Sequence, residues 1–302
     1  MAGNAGRNRS DERDRCGVLQ KKFGIEPPIL PWEVFFMSFC GSAEQNSRNH
    51  LFDGIRKQRP LVHAITNAVT RNDVVNMILA SGAAAICAEN VREVEEIVSI
   101  SRALLLNIGM PDENKLEVMI LAGRKANELG IPVVLDPVGA GASAYRREFL
   151  AKLLSEVHMT AVRANMSEAA ALQGMTFASQ GVEAAGIELT PSALQELAGR
   201  LDTMLAITGE TDYAVNKEEI RTSRTGTPLL KSITGSGCML SGLLAASLAG
   251  NPEDAGRDVR IVHETLRIYG QAAADAEKEM CSSGHIGTAT FRTYLIDRIS
   301  RM

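Results

Sequence analysis

From residue 60 onward, short apolar runs alternate with longer stretches in which apolar residues recur every three or four positions. The runs PLVHAI (60–65), AAAIC (83–87), ALLLNI (103–108), PVVLDP (132–137), TAVRAN (160–165) and MLAITG (204–209) have strand length. The stretches near 70–80, 91–102, 112–129, 146–157 and 191–201 carry the helical period. Strands and helices in strict alternation predict an α/β fold, a mostly parallel central sheet wrapped by helices. After Gly209, DYAVNKEEIRTSRTGTPLLKSI alternates and carries turn residues, which predicts a small antiparallel run. SITGSGCMLSGLLAA (232–246) and a block of helices then close the chain.

Two segments break this pattern. Residues 175–188 are rich in Gly and Ala without periodicity and read as a loop or variable insertion. Residues 1–48 open with a polar, charged stretch and continue as IEPPILPWEVFFMSF, with three prolines and the chain's one tryptophan, Trp32. They are expected to be an extension, disordered or loosely packed, ahead of a single domain over 49–302. The opening MAGNAGRNRSDERDRCG lacks the apolar core of a secretory signal. Its arginines hint at a transit peptide, Asp11, Glu12 and Asp14 oppose one, and Met37 offers an alternative start.

Composition narrows the function. A net charge of -4 and few aromatics give no basic, stacking surface for nucleic acid, so none is expected as a partner. Every apolar run is interrupted well short of the about 18 residues a membrane span needs, so no membrane association is expected. The five cysteines (16, 40, 87, 238 and 281) form no C-x-x-C pair, which fits a reducing, cytoplasmic setting better than a disulfide framework.

In open α/β sheets ligands gather beyond the C-terminal strand ends. Here those ends carry Thr66 and Asn67, Asn107 and Gly109, Asp136, Asn165 and Glu168, and Thr208, Gly209 and Glu210. Asp136 is either a carboxylate for a hydrated divalent cation or a turn cap. Glu168, three residues after Asn165, is either a magnesium-shell ligand or part of a helix-start capping arrangement. The strongest signal is TGSGC (234–238): two glycines ahead of a small-residue helix let unpaired N–H groups meet an anion such as a phosphoryl group in transit. No Lys follows as a P-loop demands, and the glycines are too few for a dinucleotide fingerprint. A helix start is expected to lower the Cys238 thiol below its usual value of about 8.5. The five histidines show no metal spacing, and His63, inside a strand, reads as a hydrogen-bonded core residue.

Six segments in order, VHAITNAVT, LLLNIGM, VVLDPVGAGASAYR, VRANMSEAAAL, AITGETD and TGSGCMLSGLLAA, resemble the hydroxyethylthiazole kinase family of the ribokinase superfamily. The likeness runs from about residue 50 to the C-terminus. It implies a three-layer ribokinase-like fold with helices on both faces of the sheet. It also implies ATP- and Mg²⁺-dependent phosphorylation of the primary hydroxyl of 4-methyl-5-(2-hydroxyethyl)thiazole, in thiamine salvage, and a homotrimer with active sites between subunits. By position, the resemblance assigns Arg163 and Thr208 to ATP, Asp136 and Glu168 to the metal, and Cys87, Gly235 and Asn67 to the thiazole alcohol. Cys238 matches the catalytic position, flanked by the anion-binding Gly235 and Gly237. Two departures stand out: Cys87 replaces the Met of the family's G-A-S-P-x-M pattern, and Arg71 and Asp73 enter a normally more neutral segment. A kinase for another ring alcohol, of the hydroxymethylpyrimidine or pyridoxal type, and an inactive binding relative are the competing readings.

Overall fold

The computed structural model describes residues 50–174, 189–252 and 258–302. The expected extension over 1–48 and loop over 175–188 lie outside the described residues. In chain order the elements are α1 (His50–Gln58), β1 (Leu61–Ile65), α2 (Arg71–Ala80), β2 (Ala84–Ile86), α3 (Val94–Ile100), β3 (Ala103–Asn107) and α4 (Glu113–Glu128). Then come β4 (Val133–Asp136), α5 (Ala144–Glu156), β5 (Ala161–Asn165), α6 (Met166–Leu172), α7 (Pro191–Leu201), β6 (Met204–Thr208), β7 (Asp212–Val215) and β8 (Ile220–Ser223). A 3-10 turn (Pro228–Ser232) leads into α8 (Ser236–Gly250), α9 (Val259–Ser283) and α10 (Thr288–Ser300).

All eight strands form one sheet in the order β2-β1-β3-β4-β5-β6-β7-β8. Neighbours from β2 to β6 pair in parallel, and β7 and β8 add an antiparallel end. All six expected parallel strands form, with trimmed ends. The apolar runs begin on Pro60 and Pro132, which have no N–H to donate, so each ladder starts one residue later and the prolines only accept, from Ala84 and Leu104.

Apolar residues pack in two layers. Val62, Ala64, Leu105, Val134 and Ala206 face α1, α2, α8, α9 and α10, while Leu104, Leu106, Val133, Leu135, Val162 and Leu205 face α3 to α7. Strands covered on both faces need apolar residues at odd and even positions alike, and β3, ALLLN, is buried throughout. Polar caps set the helix starts: Asp112 accepts from Lys115 N, Ser143 from Arg146 N, and Thr190 from Ala193 N ahead of Pro191. The stretch expected as a helix over 91–102 is helical only over Val94–Ile100, because Asn90 folds the preceding residues into a turn and Ser101 is extended. Helices α1 and α6 were not separately expected; nine and seven residues display too few turns for a period to show.

Helix α8 runs through the middle of one layer, buried on every side from Cys238 to Gly250. Removing one such leucine side chain from a core costs about 2–5 kcal/mol, so tilting this helix would be expensive. The core therefore fixes where its N-terminus points.

Candidate active site

Helix α8 begins at a glycine turn. Gly235, its N-cap, has φ 80° and no side-chain cap; a Cβ there would also sit 2.6 Å from Thr70 Cγ2. Gly237 is required for a different reason, since its Cβ would come within 2.1 Å of Arg163 Nη1. The guanidinium lies directly over the turn because no side chain intervenes. The first N–H groups of the helix have no intrahelical partner, and they border a cavity of about 1000 Å³ at the ends of β5 and β6. Arg163, Glu168, Thr208, Asp212 and Tyr269 share its wall with Gly235, Gly237 and Cys238.

Cys238 is buried at the floor of this turn. Asn107 Nδ2 donates to its Sγ at 3.2 Å, and Asn67 Nδ2 approaches at 3.8 Å. Burial, with the Asp136 charge behind it, pushes the thiol up to about 11. This corrects the expectation of a lowered thiol: desolvation and a neighbouring carboxylate outweigh the hydrogen bonds of Thr70 and Asn107 and the Arg163 charge. At neutral pH Cys238 is a thiol whose proton Asp136 can accept.

Asp136 lies behind Cys238, completely buried. Its register partner Asn107, at the end of β3, donates to Oδ2 at 2.8 Å, and Ser241, one turn into α8, donates to the same oxygen at 2.9 Å. Oδ1 has no hydrogen-bond partner and stands 3.8 Å from Arg163 Nη1. Burial pushes this carboxyl up, while Arg163, Ser241, Cys238 and Asn107 pull it back.

Arg163 Nη2 also donates to Thr208 Oγ1 at 2.8 Å, across the parallel pair β5 and β6. Glu168 forms the capping box of α6: its oxygens accept from Asn165 N at 2.9 Å and Gly139 N at 3.0 Å, and Asn165 Oδ1 accepts from Glu168 N. The capping role is thus present, and the same carboxylate forms part of the cavity wall. Burial pushes it up, opposed chiefly by Arg163. Asp212 accepts from Gly209 N at 3.1 Å, and burial raises it to about 6.

Arg163, Thr208, Glu168, Gly235, Gly237 and Cys238 thus meet at one cavity, with Asp136 behind it. Asn67 stands on the other side of Cys238, buried, its Oδ1 accepting from Thr70 N at 3.1 Å. Cys87 does not join them: it follows the edge strand β2, is exposed, and is absent from the cavity wall. Arg71 pairs with Glu89 at 2.7 Å and Asp73 with Arg292 at 3.3 Å, so both unusual charges have partners on their own chain. His63 is a core residue as expected, buried, with Nε2 2.8 Å from Ala88 O. Sequence reasoning missed Ser241, Asp212 and Tyr269. It noted Asn107 as a polar strand end without giving it a role.

Comparison with known proteins places the chain in a family. The model of the hydroxyethylthiazole kinase family matches residues 52–302. The chain belongs to that family. A hydroxyethylthiazole kinase from Clostridium tetani is 39% identical over 251 residues, covering 81% of this chain and 89% of the relative. The solved structure of a hydroxyethylthiazole kinase from Pyrococcus horikoshii superposes with a TM-score of 0.71 at 30% identity, over 84% of this chain and 92% of that one. A ribokinase-like superfamily protein from Enterococcus faecalis shares the fold, with a TM-score of 0.57 at 12% identity, over 85% and 99% of the two chains. The expected three-layer ribokinase-like architecture is therefore the observed one. The family match runs from within α1 to the end of α10, and none of the described helices is long and apolar enough to cross a membrane.

Proposed function

We propose that this chain transfers the γ-phosphoryl group of ATP to the primary hydroxyl of 4-methyl-5-(2-hydroxyethyl)thiazole, a step of thiamine salvage. The observation that carries this reading is the turn at Gly235–Cys238, unpaired N–H groups under a guanidinium at one end of a cavity large enough for a nucleotide. Phosphoryl transfer asks the protein for positioning and charge stabilisation more than for covalent chemistry. Arg163, held by Thr208, neutralises phosphate oxygens beside the turn. The γ-phosphoryl group lies against the N–H groups of Gly235 to Cys238, and the alcohol approaches from the side of Asn67.

Cys238 stands between that alcohol and Asp136. The thiol is protonated at neutral pH, so it can take the hydroxyl proton only as it passes its own to Asp136, which suffices where that proton leaves late. The cavity wall offers Mg²⁺ the hard oxygen of Glu168, and Asp136, its Oδ1 without a hydrogen-bond partner, lies buried behind that wall. Among the described residues no group of three His, Cys, Asp or Glu could cage a metal. Mg²⁺ beside a nucleotide keeps most of its water and leans on one or two carboxylates and the phosphates. Held there by Glu168, with the Asp136 charge behind the wall, Mg²⁺ would screen the phosphate charge.

A homotrimer with sites between subunits belongs to the same proposal. Its support is the incompleteness of the alcohol side: Cys87 is exposed, and Val69 and Met110, at the same strand ends, are 67% and 47% exposed. Equilibrium sedimentation at the monomer mass would count against it. The substrate assignment is tested by coupled ADP release with hydroxyethylthiazole, hydroxymethylpyrimidine and pyridoxal, each with and without Mg²⁺. Hydroxyethylthiazole is expected to be turned over fastest and only with Mg²⁺; preference for either other alcohol would replace the assignment.

A further inference from the structure

The first turn of α8 has no side-chain cap at Gly235, yet its N–H groups must hold a fixed aim if they are to stabilise a moving phosphoryl group. Two hydroxyl groups hold it from the carbonyl side. Tyr269, on α9, donates to the Ser236 carbonyl at 2.7 Å, and Ser241 Oγ donates to the Gly237 carbonyl at 3.1 Å. A trans peptide is planar, with its C=O and N–H pointing in opposite directions. The Ser236 carbonyl shares its plane with Gly237 N–H, and the Gly237 carbonyl with Cys238 N–H. Holding each carbonyl therefore sets the direction of the next amide.

The two clamps differ. Ser241 has one hydroxyl proton and two acceptors within reach, the Gly237 carbonyl and Asp136 Oδ2 at 2.9 Å, so its grip on the turn is shared. Tyr269 is committed to the turn. Its ring is buried in the wall of the cavity, 3% exposed, and burial pushes the phenol up, so it stays protonated and remains a donor.

We infer that Tyr269 is a positioning residue for phosphoryl transfer, its hydroxyl fixing the Ser236–Gly237 peptide so that Gly237 N–H aims at the transferring group. The inference rests on the reading of this turn as the phosphoryl site. Accepting a hydrogen bond at the carbonyl also polarises the peptide and strengthens its N–H as a donor. Neither effect requires Tyr269 to touch the substrate.

Tyr269→Phe removes one oxygen and keeps the packing, so the variant is expected to fold with an unchanged thermal midpoint. Removing a whole oxyanion donor costs about 100-fold or more in kcat, and misaiming one is expected to cost about tenfold. Because a preorganised donor acts on charge that develops in the transition state, kcat should fall while KM for ATP and the affinity for ADP stay within about twofold. Unchanged kcat in the folded variant would overturn the inference, as would a loss confined to KM or a drop in thermal midpoint alone. Hydrogen exchange across residues 234–240 of the wild-type protein, with ADP and orthovanadate, reads the underlying site separately. Protection there with normal Tyr269→Phe kinetics refutes the positioning role alone, whereas no protection removes the site on which it stands.

Discussion

Replacing Arg163 with Met tests the electrostatics at the centre of this site. The substitution keeps most of the apolar stem and removes the guanidinium that sits 3.8 Å from Asp136 Oδ1. Asp136 is wholly buried, and two donors on its other oxygen, Asn107 and Ser241, favour the ionised form. Coulomb's law at that distance, with an effective dielectric of about 20, gives an attraction of about 4 kcal/mol. Stranding a buried charge by removing its partner costs about 3–5 kcal/mol by experience elsewhere, in agreement. For a domain of this size that loss lowers the thermal midpoint by about 10 °C. The loss should also depend on pH. Burial already raises the Asp136 carboxyl, and without the guanidinium it rises further. Between the unfolded value of about 3.9 and the native one, the native state binds more protons than the unfolded state, so the variant loses stability as pH rises through that window. Urea melts at about pH 5 and pH 8 should show the gap from wild type widening with pH, and adding Asp136→Asn should recover most of it. An equal penalty at both pH values, or a double variant no more stable than the single one, would refute the reasoning.

Two shorter predictions follow from the same geometry. With iodoacetamide, exposed Cys281 should react before Cys238, whose rate should keep climbing towards pH 11; a Cys238 rate that levels near about 8.5 would contradict its buried, carboxylate-facing environment. Asp212 has a native value of about 6, above its unfolded one, so between about pH 4 and pH 6 its contribution to stability falls as pH rises; Asp212→Asn should remove that contribution from the slope in urea melts, and a slope equal to wild type would count against the burial argument.

The parallel sheet was legible in the chain because strands covered on both faces must be apolar at every position, and ALLLN could hardly be anything else. The glycine turn was legible for a related reason: Gly235 and Gly237 mark backbone that must adopt a left-handed angle or admit a guanidinium. The thiol's protonation state was not. A helix start is visible as a local sequence feature, but the burial that raises the thiol comes from tertiary packing, and the carboxylate that adds to it arrives from β4, about a hundred residues earlier. Tyr269 and Ser241 left no trace for the same reason, since on helices α9 and α8 they look like ordinary polar tips among apolar neighbours. Glu168 shows the opposite case, where the structural reading was correct and the cavity-facing carboxylate was present as well.

In the proposed reaction this chain moves the γ-phosphoryl group of ATP onto a thiazole alcohol. Phosphorus NMR of the protein with ATP, Mg²⁺ and hydroxyethylthiazole follows that group directly. The account predicts that the γ-phosphate resonance is replaced, one for one, by that of a phosphate monoester as ADP appears. Inorganic phosphate in its place, or an unchanged ATP spectrum from folded protein, would contradict it.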